Sequence, residues 1–285
     1  MPVNDNRRTL WYRSTMTKPP QPQDLEDDAV HAAYATISTS LLAERTPAGW
    51  WEGQLSTSAL STATAVMALS MAESAAGETR RAEQFRGLVE SGLRWLAEHQ
   101  NTDGGWGDTV LSVSNISTTM LANAVFHATG QSEHYKDVVR ASQDSIDKAG
   151  GVDAVLKRYG KDRTFSIPIL THCALAGTVD WRHVIPLPFE LACIPARFYA
   201  AIRLPVVSYA LPALIAIGQV IFRKRGHWNP VVRWMRTAAI DRSLNVLQSI
   251  QPEHGGFLEA TPLTSFVCMS LLGCDLHQHP VTQRC

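Results

Sequence analysis

Residues 95–124 read WLAEHQNTDGGWGDTVLSVSNISTTMLANA, and this stretch decides the fold. An apolar helical run closes on Gln100, a polar turn through Gly104 and Gly105 reverses the chain, Trp106 follows, and Ser117-Thr118-Thr119 opens a second apolar helix. The glycine pair suits a reversal that needs positive φ, and the indole can fold back over the joint. The same plan recurs around Gly49-Trp50-Trp51 and Gly255-Gly256-Phe257, while Gly150-Gly151-Val152 holds the turn position without an aromatic. The turn glycines near 49, 104, 150 and 255 are spaced by 55, 46 and 105 residues, the last gap about twice the others. Two helices per repeat of this length indicate a helical array whose units bury their apolar faces against neighbours, with one unit's signature lost before Gly255.

Outward from that stretch, Gly92, Leu93, Trp95 and Leu96 belong to a helix ending at His99, with Leu88, Leu93, Trp95 and Leu96 as its expected apolar face. Ser56, Thr57 and Ser58 offer capping hydroxyls to a helix over Ala59 to Ala72. Asp24, Glu26, Asp27 and Asp28 precede the apolar run Ala29, Val30, Ala33, Tyr34 and Ile37, as suits a helix N-terminus. Downstream, helices are expected through Thr129, over Tyr135 to Lys148 and over Phe165 to Ala176. Residues 1–23 are polar and proline-rich and read as a surface strap; 24–285 read as one helical domain.

Lys plus Arg and Asp plus Glu both number 26, which excludes the global basic field of a nucleic-acid binder. With 45% apolar residues, the chain can bury a sizeable core. Five cysteines without a CxxC pair read as reduced, mostly buried thiols of a cytoplasmic protein. No apolar run follows Arg7, Arg8 and Arg13 as a signal peptide would require. The histidines read as surface or capping residues, and no phosphate loop, nucleophile elbow or H-E-x-x-H motif occurs.

Between Arg203 and Arg223 lie 19 residues without a charge, LPVVSYALPALIAIGQVIF. Three readings fit residues 204–222: a membrane span, a fully buried helix, or a monotopic helix that touches a membrane or lines a substrate path. Pro205 and Pro212 weigh against the span. The following Arg223-Lys224-Arg225 suits a solvated helix end or an anionic membrane surface.

The spacing Gly92-x3-Leu96-x3-Gln100-x3-Gly104-Gly105-Trp106 resembles the QW repeat of the squalene–hopene and oxidosqualene cyclases. Leu247-x3-Gln251-x3-Gly255-Gly256-Phe257 is similar to a second copy, with Phe for Trp. Residues 49–69, 117–126, 184–217 and 241–280 each align with the N-terminal half of a bacterial squalene–hopene cyclase, so the resemblance covers nearly all the chain after residue 24.

The resemblance implies an all-α fold, an α/α toroid of inner and outer helices, here an incomplete one. The Gln and aromatic residues of the turns (Gln100, Gly104, Trp106; Gln251, Gly255, Phe257) would tie adjacent units together, Gln bonding backbone groups left open at a neighbouring helix end. It implies an apolar isoprenoid such as squalene as substrate, no cofactor and no metal, and cation–π stabilisation of carbocations in an apolar cavity. Tyr209 falls where the family has a cavity-lining Trp; Ala260, Thr261 and Pro262 match a loop at the cavity's edge, and Phe266 an aromatic just after it. The family's protonating Asp-x-Asp-Asp motif is absent, and Asp24-Leu25-Glu26-Asp27-Asp28 is explained by capping. Thr64 and Leu121 stand where hopene cyclases carry supporting acids. His172 and Cys173 are expected to diverge on their helix, against the zinc site of the related prenyltransferases.

Two functions remain open. One is the N-terminal, cavity-forming domain of a triterpene or polyprenyl cyclase, its acid supplied by a C-terminal half or partner, with peripheral contact through 204–222 on the inner membrane face. The other is a non-catalytic toroid, alone or as a homo-oligomer, that binds a lipid or a protein. His279-Pro280 reads as the approach to a further outer helix.

Overall fold

A computed structural model describes residues 27–53, 56–160, 164–201, 203, 210–258 and 260–285. They form twelve α-helices and two short 3-10 helices, with no strand among them. The chain divides into two units, Met1–Leu55 and Ser56–Cys285.

The first unit holds α1 (Asp27–Ala43) and the turn that follows it. Its apolar residues Val30, Tyr34, Ile37 and Leu41 are about half exposed or more. Asp24 and Glu26 lie outside the described residues.

In the second unit, α2 (Ala59–Ala76) is capped by Ser58, whose hydroxyl accepts from the Ser61 N–H at 3.2 Å. The helix α3 (Arg80–Glu98) is amphipathic and buries Ala82, Val89, Leu93 and Leu96; Leu88 faces solvent, one position out of the expected stripe. Asn115 caps α4 (Ile116–Ala128), which buries ten consecutive residues, Ser117 to Phe126. A helix covered on every side carries no amphipathic pattern. Then follow α5 (Lys136–Ala149), α6 (Gly151–Tyr159) and the buried α7 (Ser166–Leu175). The sequence predicts only a turn at Gly150-Gly151; Gly150, at φ 100°, closes α5 in the left-handed conformation, and α6 starts immediately.

The unit without a signature has 3-10 helices at Trp181–His183 and Phe189–Cys193 and a six-residue α8 (Ala196–Ala201). Next come α9 (Leu211–Arg225), α10 (Pro230–Ile250), α11 (Thr261–Leu272) and α12 (Pro280–Arg284), which begins at Pro280 with His279 as its cap. Residues 215–222 of α9 are buried in the core, which favours the buried-helix reading there, and no helix among the described residues is long and apolar enough to cross a membrane. Residues 204–209 lie outside the described residues.

The buried helices touch in the order α2, α4, α7, α9, α11, and α11 packs back against α2. Trp106, Phe126, Leu121, Leu170, Ile217 and Ile221 are among the fully buried side chains of the main cluster. Each such aliphatic side chain contributes about 1.5–3 kcal/mol by leaving water.

Candidate functional site

Two of the three turns share one geometry, and the first keeps part of it. In the second, the Gln100 Nε2 group donates to the carbonyls of Gly104 (2.8 Å) and Val138 (2.9 Å), the latter in the first turn of α5. The Trp106 indole donates to the Leu96 carbonyl at 2.9 Å, and its backbone N–H to Thr119 Oγ1 at 3.0 Å. In the third, Gln251 Nε2 donates to Gly255 (2.8 Å) and Val281 (3.2 Å), and the Phe257 N–H to Thr264 Oγ1 (2.9 Å). The first turn replaces Gln by Arg45, whose Nε donates to the Gly49 carbonyl at 2.8 Å, and Trp51 donates to the Leu41 carbonyl.

The acceptors on the neighbouring helices are not the open groups expected from the sequence. A helix start leaves N–H groups unpaired, not carbonyls, so Gln uses the second lone pair of a carbonyl in the helix's first turn. The turn glycines serve that approach. Gly104 and Gly255 have φ of 83° and 87°, and a Cβ on either would collide with the next helix's backbone, at the carbonyls of Ala141 and Arg284.

A second recurring contact was not legible in the sequence. Asn123 on α4 donates to Ser142 Oγ on α5 at 2.8 Å, and Gln219 on α9 donates to Ser243 Oγ on α10 at 2.9 Å. Both pairs are buried and clamp a buried helix to its outer partner. A lone Asn or Gln within an apolar run is the only signal they leave.

Between α2 and α11 lies a cavity of about 820 Å³. The small side chains of Ala65, Ala68 and Ala72 leave the space on one wall; Thr261, Thr264 and Cys268 form the other. Among the described residues, Phe85 is its one Phe, Tyr or Trp, beside the imidazoles of His254 and His277, and no Asp or Glu side chain lines it. Arg81 stacks over Phe85, 5.4 Å from its centroid, and donates to Gln283 Oε1 at 3.2 Å, joining the start of α3 to the last residues of α12.

Of the residues expected to line a substrate cavity, Ala260 and Thr261 are in this wall. Pro262, in the first turn of α11, and Phe266 are half-buried but not in it. The Phe266 ring meets the His172 ring edge-on at 6.4 Å. Tyr209 lies outside the described residues. Thr64 is fully buried, its hydroxyl donating back to the Leu60 carbonyl at 3.0 Å, and Leu121 is fully buried on α4.

His172 is fully buried, not at the surface as the sequence suggests. It and Cys173 both reach α4 instead of diverging: Nε2 of His172 donates to the Leu121 carbonyl at 3.2 Å and the Cys173 thiol to that of Met120 at 3.7 Å. Nδ1 of His172 has no partner, and burial pulls the ring's pKa down to about 4, so it is neutral. Burial likewise pushes the Cys173 thiol up to about 12. No group of three or more His, Cys, Asp or Glu residues suited to a metal ion occurs among the described residues.

The family comparison agrees with the repeated turns. Residues 35–217 match the model of the squalene-hopene cyclase N-terminal domain, a span of more than half the chain. The chain therefore belongs to the squalene-hopene cyclase N-terminal domain family.

Proposed function

We propose that residues 24–285 are the N-terminal α/α toroid of a triterpene or polyprenyl cyclase, walling an apolar space for an isoprenoid such as squalene. The protonating acid comes from a C-terminal half or partner chain. The observation that carries this reading is the α2–α11 cavity, which falls within the size range of ligand sites and whose wall, among the described residues, has no carboxylate side chain. Such a wall can hold and fold a hydrocarbon but cannot protonate an alkene. The toroid reading is supported by the cyclic contacts of α2, α4, α7, α9 and α11. For delivery from a membrane, the exposed basic run Arg223 to Arg225, at the end of α9, is open to anionic headgroups.

The alternative, a non-catalytic lipid- or protein-binding toroid, draws on Phe85 being the one Phe, Tyr or Trp in the cavity wall among the described residues, since carbocation chemistry calls for several. Two measurements separate the readings. Squalene is expected to raise the melting temperature of the chain, and Ala68→Trp, which fills the cavity, is expected to abolish that shift. The chain alone is expected to give no cyclised product by gas chromatography, and product to form when a chain carrying Asp-x-Asp-Asp is added. Squalene binding without product in that mixture would favour the non-catalytic toroid; product from this chain alone would overturn the external acid.

A further inference from the structure

The repeat register sets two cysteines against each other. The Thr119–Trp106 and Thr264–Phe257 bonds put α4 and α11 in equivalent positions, and the Gln100–Val138 and Gln251–Val281 bonds do the same for α5 and α12. Four residues beyond Thr119 and Val138 stand Asn123 and Ser142, the clamped pair at 2.8 Å. Four residues beyond Thr264 and Val281 stand Cys268 and Cys285. Where other units carry a hydrogen-bonded clamp, this one carries two thiols.

Three further observations place the pair together. Both cysteines line the α2–α11 cavity, which gives a small oxidant access. The Gln251 Nε2 group lies 3.6 Å from the Cys285 sulfur, so the amide that anchors α12 also faces this thiol. Burial first, and the neighbouring Cys268 second, push the Cys285 thiol up to about 12. Cys193 and Cys274 are held elsewhere, Cys193 against the Ala239 carbonyl and Cys274 buried.

We propose that Cys268 and Cys285 form a reversible disulfide that staples α12 to α11 along the cavity wall. With a hydroperoxide as oxidant, the Cys285 thiolate attacks the peroxide oxygen; with hydrogen peroxide, hydroxide leaves and a sulfenic acid forms. The Cys268 thiolate then attacks that sulfur, the S–OH bond breaks and hydroxide leaves; the two hydroxides take up the two protons lost by the thiols to give water. In sum, two thiols are oxidised and one peroxide is reduced to two waters. Cys285 is assigned the first attack on access alone: the residue is exposed just past α12 although its sulfur faces the cavity wall, whereas Cys268 is half-buried on α11. The raised pKa values, about 11 for Cys268 and about 12 for Cys285, make the bond slow to form at neutral pH and faster as pH rises. The bond would also draw together two residues of the wall, which links the oxidation state to the shape of the cavity whatever the cavity holds.

The test uses the whole chain, treated with hydrogen peroxide, alkylated and digested. A Cys268–Cys285 peptide is expected as the main disulfide by mass spectrometry, removed by dithiothreitol, with a rise in melting temperature of roughly 5 °C. The double variant Cys268→Asn/Cys285→Ser rebuilds the clamp of the other units; it is expected to fold, and to show neither the cross-link nor the shift. A disulfide joining two copies through Cys285, cross-links made mainly by Cys173, Cys193 or Cys274, or oxidation of Cys285 to sulfinic acid without a cross-link would each overturn the proposal.

Discussion

The Gln100 side-chain amide donates to the Val138 carbonyl, 2.9 Å away in the first turn of α5. Gln251 repeats the relationship with Val281 of α12, at 3.2 Å. A single side chain thus ties each turn to the start of the next outer helix. Gln100→Leu keeps the bulk and removes both carbonyl bonds, and is expected to cost about 1–3 kcal/mol. Urea denaturation followed by far-ultraviolet circular dichroism measures it; an unchanged midpoint would reduce the Gln to a bystander.

Gly104→Ala meets two obstacles, a φ of 83° and the backbone of Ala141. The expected loss is about 3 kcal/mol or more, because neither the strain nor the overlap can be relieved by rotating a side chain. Gly87→Ala is the contrasting case. This glycine lies exposed within α3 with open space at its Cβ position, so the variant is expected to gain about 0.5–1 kcal/mol in the same assay.

His172 governs part of the pH dependence of stability. Burial depresses its pKa to about 4 from 6.5, so between those values the unfolded chain binds a proton that the folded chain does not. Its contribution is therefore fully present above pH 6.5 and is lost as pH falls toward about 4, amounting to up to about 3 kcal/mol. His172→Gln can still donate to the Leu121 carbonyl and is expected to flatten the slope over this window. Parallel slopes for the two proteins would remove His172 from the account.

Arg236 and Glu190 form a buried ion pair at 3.2 Å, their side chains 8% and 12% exposed, and the guanidinium stands 6.0 Å from the ring centroids of both Phe189 and Phe222. Arg236→Met strands the Glu190 carboxylate in an apolar site, at an expected cost of about 3–5 kcal/mol. Adding Glu190→Gln is expected to recover most of it. Equal losses in the single and double variants would show that packing, not the stranded charge, sets the cost.

The sequence by itself determined the helical class, the repeat and its turns, because these depend on local chemistry: glycines where φ is positive, Gln and an aromatic at fixed spacing, hydroxyl or amide caps before apolar runs. It also carried the family, through those same residues. It misjudged Leu88 and α6, and left the exposure of Val30, Tyr34 and Ile37 undecided, since apolar periodicity reports which residues could be buried and not which of them meet a partner. Only the tertiary structure decided the packing of α11 on α2, the cavity between them, the burial of His172 and the pairing of Arg236 with Glu190. Each joins residues tens to hundreds of positions apart, and no local spacing encodes a contact that forms only when separate helices are brought side by side.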